Sequence, residues 1–222
     1  MKPMSNIWRR VRFSAFSLLG DRRGLAAVEF AMIVPIMLLL FFGTVEFSSA
    51  VAVDRKVTLI VRTLSDVTSQ SQSVADADLS NFFNAGCAIM YPYAGPPPCT
   101  TTNNPMTAMI TELYVDPTTL KAKVEWSKVY QLGAATCPQS VVLTAGTVVA
   151  SVPPNLLVSG TYLIYSEVCY LYKPAVAYGP LISMGMPSAG FTLSDVAYTR
   201  PRQSNCVIYP TPTSGPLGSC PQ

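Results

Sequence analysis

Arg22-Arg23-Gly24-Leu25-Ala26-Ala27-Val28-Glu29-Phe30 stands at the mouth of a long apolar run, and its reading decides how the chain is organised. The stretch sets a basic cluster, one glycine and one carboxylate into a segment otherwise built for lipid. A carboxylate at the edge of a membrane helix is expensive and is normally there for a partner. The run from Leu25 to Val53 holds only Glu29 and Glu46 as ionisable residues. Its uncharged centre, Phe30 to Val45, spans about 24 Å as a helix, and the flanks extend it to membrane thickness.

Working outward, 222 residues leave room for one domain of ordinary size plus an appendage. Half of the residues are apolar and 12% are charged, too greasy for a typical cytosolic domain. Lys2, Arg9, Arg10, Arg12, Arg22 and Arg23 precede the run against Asp21 alone, whereas acids and bases balance beyond residue 53. The +3 total therefore belongs to the N-terminus. This is not a nucleic-acid footprint, which needs basic residues clustered on a folded face. Basic residues ahead of an apolar span predict a cytoplasmic N-terminus and a translocated remainder. Cys87, Cys99, Cys137, Cys169, Cys206 and Cys220 all lie beyond the crossing, an even set that implies disulfides formed in an oxidising compartment.

Three readings of the N-terminus compete. An uncleaved signal anchor accounts for the hydropathy alone. A secretory signal peptide finds an A-x-A site at Ala50-Val51-Ala52, but the run is roughly twice the usual h-region length and carries two glutamates. The third reading is a prepilin-type leader, cut after Gly24 on the cytoplasmic side so that the apolar helix stays in place. Glycine resists helix continuation and suits the extended backbone that a protease needs. Leu25 then supplies a new α-amino group, with which Glu29 can pair inside a bundle of packed helices. A buried carboxylate lacking such a partner is strongly disfavoured.

Gly24 with Ala26-Ala27-Val28-Glu29-Phe30-Ala31, then Pro35, then Phe42-Gly43-Thr44-Val45-Glu46-Phe47, resembles the TadE-like pseudopilins of tight-adherence (Tad) pilus systems. Tyr162 to Pro174 is similar to the family's strand ending in an aromatic-x-aromatic-x-Pro pattern, and Arg200-Pro201-Arg202 to its terminal Arg-Pro-Arg. The resemblance implies processing by a prepilin peptidase at Gly24 and Leu25, with Glu29 as the subunit-assembly carboxylate. It also implies three kinds of partner: other pilins and pseudopilins, an inner-membrane pilus assembly platform, and the lipid bilayer.

Beyond the membrane, Val53, Val57, Ile60, Leu64 and Val67 form an a/d seam, while Asp54, Arg55, Lys56, Arg62 and Asp66 keep the other faces wet. Such a stripe most often docks on its own domain. A helix from Leu25 to about Ser71 follows, with Pro35 removing one backbone hydrogen bond and Gly43 permitting close helix approach. Asp76 to Asn84 reads as a short helix with Ser73 as its cap. Pro96-Pro97-Pro98 and Thr100 to Pro105 form a loop. Ile110–Val115 and Lys121–Val129 read as a hairpin around Asp116-Pro117-Thr118-Thr119. Ala122, Val124 and Trp126 alternate with Lys121, Lys123, Glu125 and Ser127, which predicts one buried face and one solvated face. Val141 to Ser151 has no clear period. Tyr162–Tyr172 is apolar on both alternations, as a central strand covered on both faces requires. Phe191–Thr199 is the last strand.

Six cysteines allow fifteen pairings, and the local set Cys87–Cys99, Cys137–Cys169 and Cys206–Cys220 is expected. The chain has no histidine, which removes the commonest general base, Ser–His and Cys–His nucleophile pairs and histidine metal sites. No phosphate-cradling glycine motif and no C-x-x-C spacing occur, so no cofactor, metal site or catalytic residue is expected. The head's carboxylates (Asp66, Asp76, Asp78, Glu112, Asp116, Glu125, Glu167 and Asp195) are scattered, and nearly all of them are read as solvated surface. Tyr91, Tyr93, Tyr162, Tyr165, Tyr170, Tyr172, Tyr178 and Tyr198 give it an aromatic bias, with packing as their default role.

The expected protein is α+β, with a long N-terminal transmembrane pilin-like helix packed on a small antiparallel sheet head with disulfides. Residues 1–24 form a basic cytoplasmic leader, 25–73 the transmembrane and extended helix, and 74–222 a periplasmic head. The function expected is that of a non-enzymatic accessory pilin of the bacterial inner membrane, possessing a single span and acting in fibre biogenesis and adhesion. The alternatives are an unprocessed, membrane-anchored periplasmic binding module and a secreted disulfide-bonded protein cleaved near Ala52.

Overall fold

The computed structural model describes residues 24–95, 105–131, 137, 143–174, 190–210 and 220. The leader before Gly24, the proline loop with Cys99, and Tyr178 lie outside the described residues. The chain divides into two units, Met1–Phe47 and Ser48–Gln222. A single helix, α1 (Leu25–Ser69), runs through that boundary and contains Pro35. In the first unit its apolar side chains are exposed, apart from the half-buried Val34.

In the second unit α1 buries one stripe. Val53, Val57, Ile60 and Leu64 are fully covered, as the seam predicts, but Val67 is only half-buried. Val61, Ser65, Thr68 and Ser69 complete the buried face instead. The reason is geometric: a straight helix of 3.6 residues per turn drifts about 20° per heptad away from a strict a/d seam. Each of these aliphatic side chains contributes roughly 1.5–3 kcal/mol by leaving water.

The second helix, α2 (Asp76–Met90), is longer than the expected segment. Leu79, Phe83, Cys87 and Met90 carry one apolar stripe past Asn84, and Gly86 lies against α1. A Cβ added at Gly86 meets Ile60 Cγ2 at 3.0 Å, so the glycine sets how closely the two helices approach. The expected cap is corrected: Ala75 is the N-cap, and its N–H donates to Asp78 Oδ2 at 2.9 Å. Ser73 instead bridges Ile208 in parallel, flanked by Val74 N–H to Ile208 O at 2.9 Å and Ile208 N–H to Gln72 O at 3.1 Å.

Five antiparallel strands follow: β1 (Met106–Val115), β2 (Ala122–Gln131), β3 (Val148–Val149), β4 (Tyr162–Tyr172) and β5 (Phe191–Thr199). Their order is β3-β2-β1-β4-β5, so β4 is interior and buried along nearly its whole length. The hairpin joining β1 and β2 turns at Asp116, whose Oδ1 accepts the Thr118 N–H at 2.8 Å.

The alternation read in β2 needs correction. Glu112 pairs with Trp126 and Leu113 with Val124, so Glu125 is the extra residue of a β-bulge. The bulge reverses the side-chain parity. Ala122 and Val124 pack with Leu113, Val115, Leu163 and Tyr165 under residues 143–157. Trp126 packs on the opposite face, with Ala108, Ile110, Ile164, Val168 and the two helices. The sheet therefore carries a core on each side, an α+β layer arrangement.

Candidate functional site

Gly24, Leu25 and Glu29 lie together at the start of α1, and all three are exposed. Leu25 and Glu29 are four residues apart, a spacing that puts them on one helix face. Glu29 has no hydrogen-bond or ion-pair partner among the described residues. The following side chains are apolar and open: Phe30 is 68% exposed, Leu40 62% and Phe47 72%. An 18-residue window of this segment has a mean hydropathy of 2.5 and none of it is covered by the rest of the chain. Thr44 returns its hydroxyl to Leu40 O at 2.7 Å, so its polar hydrogen is satisfied within the helix. The arrangement provides a membrane-length apolar surface with a carboxylate near its first turn.

The head closes around the top of α1 through its C-terminal segment. Arg202 Nη2 lies 2.6 Å from Asp66 Oδ1, and the Arg202 N–H donates to Ser69 O at 2.8 Å. Ser65 and Thr199 share a hydroxyl hydrogen bond at 2.8 Å. Thus the Arg-Pro-Arg motif is anchored to the helix by its second arginine. Further on, Tyr209 OH donates to Asp76 Oδ1 at 2.9 Å, and Lys128 reaches the same oxygen at 3.0 Å.

Beneath this segment is a buried network that the sequence reading missed. Glu112 is covered, against the expectation that head carboxylates are solvated, and Glu167 departs from it too. Glu112 Oε1 accepts the Val207 N–H at 2.5 Å and Oε2 accepts the Trp126 Nε1–H at 2.9 Å. Trp126 Nε1 also reaches Val207 O at 2.8 Å. Burial pushes the Glu112 carboxyl up to about 8, against the pull of the Val207 and Trp126 donors toward the charged form. The only signal for this in the sequence is a tryptophan, whose N–H usually finds a partner when buried.

Cys137 is joined to Cys169 and Cys206 to Cys220. Cys87 is disulfide-bonded, while Cys99 falls outside the described residues. Cys137, Glu167 and Cys169 cluster within 4.8 Å, yet both sulfurs are spent in their disulfide and offer no thiolate to a metal. Tyr162, Tyr165, Tyr170 and Tyr172 are core residues, Tyr198 is half-buried, and Tyr91 and Tyr93 are exposed.

A helix with a membrane-length apolar stretch thus continues as the packing helix of a disulfide-linked sheet domain. Residues 24–63 match the family model described as TadE-like protein, so the segment holding Gly24, Glu29, Pro35 and Phe42 to Phe47 is TadE-like. The tyrosine strand and the Arg-Pro-Arg motif lie outside the matched residues. No curated protein and no solved structure matches the chain.

Proposed function

We propose that this chain is an accessory pilin-like subunit, a pseudopilin, of a Tad-type pilus assembly system. The observation that carries this reading is the coincidence of the TadE-like match at residues 24–63 with an uncovered apolar helix beginning at Leu25. A prepilin peptidase removes the basic leader after Gly24. The helix then holds the subunit in the inner membrane with the head in the periplasm, where its disulfides form. Assembly proceeds through helix packing against other pilins, pseudopilins and the membrane platform. In that packing Glu29 pairs with the α-amino group of Leu25 on a neighbouring subunit, a pairing favoured by the cost of leaving a carboxylate alone in lipid. The fibre so formed serves adhesion.

The N-terminus of the mature protein tests this reading. Leu25 as the first residue is the expected result. Met1 supports the unprocessed anchor and Val53 the secreted form, and either overturns the proposal. Glu29→Ala is expected to abolish fibre assembly while leaving the protein in the membrane; unimpaired assembly removes the proposed role of that carboxylate.

A further inference from the structure

One end of the head presents aromatic rings that its own core leaves in solvent. Tyr91 is 55% exposed, Tyr93 39% and Phe191 42%. The backbone beneath the two tyrosines is firmly held. Lys56 Nζ donates to Ile89 O at 2.9 Å and to Tyr91 O at 2.7 Å, and it lies 5.3 Å from the centre of the Tyr93 ring. The Tyr93 N–H donates to Met90 O at 2.9 Å, and Tyr170 OH donates to Tyr93 O at 3.1 Å. Phe191 opens β5, and its ring centre is 5.3 Å from that of Tyr172.

Two contacts orient this end within the head. Thr199, at the far end of β5 from Phe191, bonds Ser65 of α1. Tyr170, which pairs with Leu193 near the Phe191 end, bonds the loop that Lys56 holds. The aromatic end therefore lies beside Lys56, earlier in α1, and the Thr199 end beside Ser65. Lys56 belongs to Asp54-Arg55-Lys56, the first charged cluster after the apolar run. Such a cluster marks where a chain leaves hydrocarbon for the headgroup layer, the same layer in which tyrosine is enriched. Lys56 follows Phe47 by only about two and a half helical turns.

We propose that Tyr91, Tyr93 and Phe191 form a rim that seats in the lipid headgroup layer of the membrane that α1 enters. The occupant follows from the short stretch of chain that separates Lys56 from Phe47 and from the chemistry of the rim. Tyrosine rings put an apolar body toward acyl chains and a hydroxyl toward water, while the exposed Arg55 supplies positive charge for lipid phosphates. The rim holds the head against the bilayer and restrains its tilt. This inference rests on the reading of α1 as a membrane span.

The test is photo-crosslinking of the full-length chain in phospholipid nanodiscs, with p-benzoylphenylalanine placed singly at Leu39, Tyr91, Phe191 or Leu120. All four positions are exposed, so each tolerates the replacement. Leu120 lies in the β1–β2 turn, at the other end of β1 from Met106. Lipid adducts at Leu39, Tyr91 and Phe191 with none at Leu120 are the expected result. Adducts at Leu39 but not at Tyr91 and Phe191 overturn the rim while leaving the membrane span intact, as do protein adducts in place of lipid ones. Absence of adducts at Leu39 removes the membrane span and the rim with it.

Discussion

The Glu112 carboxylate accepts the indole hydrogen of Trp126 at 2.9 Å inside the layer between sheet and helices. Its other oxygen holds Val207, 95 residues away in sequence, so one acidic side chain ties the C-terminal segment to the central strand. Glu112→Ala removes the acceptor of the Val207 N–H and leaves the Trp126 indole with Val207 O alone. An unsatisfied buried donor costs about 1–3 kcal/mol, and the vacated volume adds to it. A loss of roughly 2–4 kcal/mol in denaturant unfolding is expected, measured beside the wild-type chain under identical conditions.

The same residue sets a pH dependence. Its carboxyl is raised from 4.5 to about 8 on folding, so between those values the folded state binds more protons than the unfolded state. The Glu112 contribution is therefore fully present below pH 4.5 and is lost as pH rises through about 8. Unfolding midpoints should fall across that window, with Glu112→Gln flattening the slope. An unchanged slope in the variant would show that other groups dominate.

Exposed charge pairs should matter less. The Asp66–Arg202 pair is close, but its side chains are 42% and 57% accessible. Asp66→Asn is expected to cost under about 1 kcal/mol in low salt, and less in high salt. A double-mutant cycle with Arg202→Gln measures this directly.

Gly86 fixes the approach of α1 and α2 through Ile60. Gly86→Leu is expected to destabilise the head by about 1–3 kcal/mol through overpacking, despite leucine's better helix propensity. Ile60→Ala in the same background should restore part of the loss, which a thermal unfolding series can detect.

Leu120 sits in the turn with φ of +52° and its side chain 49% exposed. A left-handed conformation costs a non-glycine residue about 1–2 kcal/mol, partly offset in a glycine variant by unfolded-state entropy. Leu120→Gly should thus stabilise the chain by up to about 1 kcal/mol, read as a higher denaturant midpoint. A lower midpoint would mean that Leu120 has packing value beyond its exposure.

Closing the C-terminal loop contributes as well. Cys206 and Cys220 are separated by 14 residues, and removing both is expected to cost about 3 kcal/mol. The Val207 backbone hydrogen, one residue from Cys206, should then lose protection in hydrogen exchange first.

Much of this architecture is written locally. The apolar run with its basic approach, the Asp116 turn, the interior strand at Tyr162–Tyr172 and the last strand at Phe191–Thr199 depend on composition and short periods. So does the cluster of Gly24, Leu25 and Glu29, because neighbours on a helix are neighbours in sequence. What tertiary structure decided depends on residues far apart. The Glu125 bulge sent Val124 and Trp126 to opposite cores, although their spacing reads as one face. Glu112 became buried because Trp126 and the Val207 amide, brought over by the returning C-terminal segment, satisfy both its oxygens. Hydrophobic period records that a side chain is covered, but not by which layer. A carboxylate's identity records its charge, whereas its solvation is fixed only when the distant donors arrive.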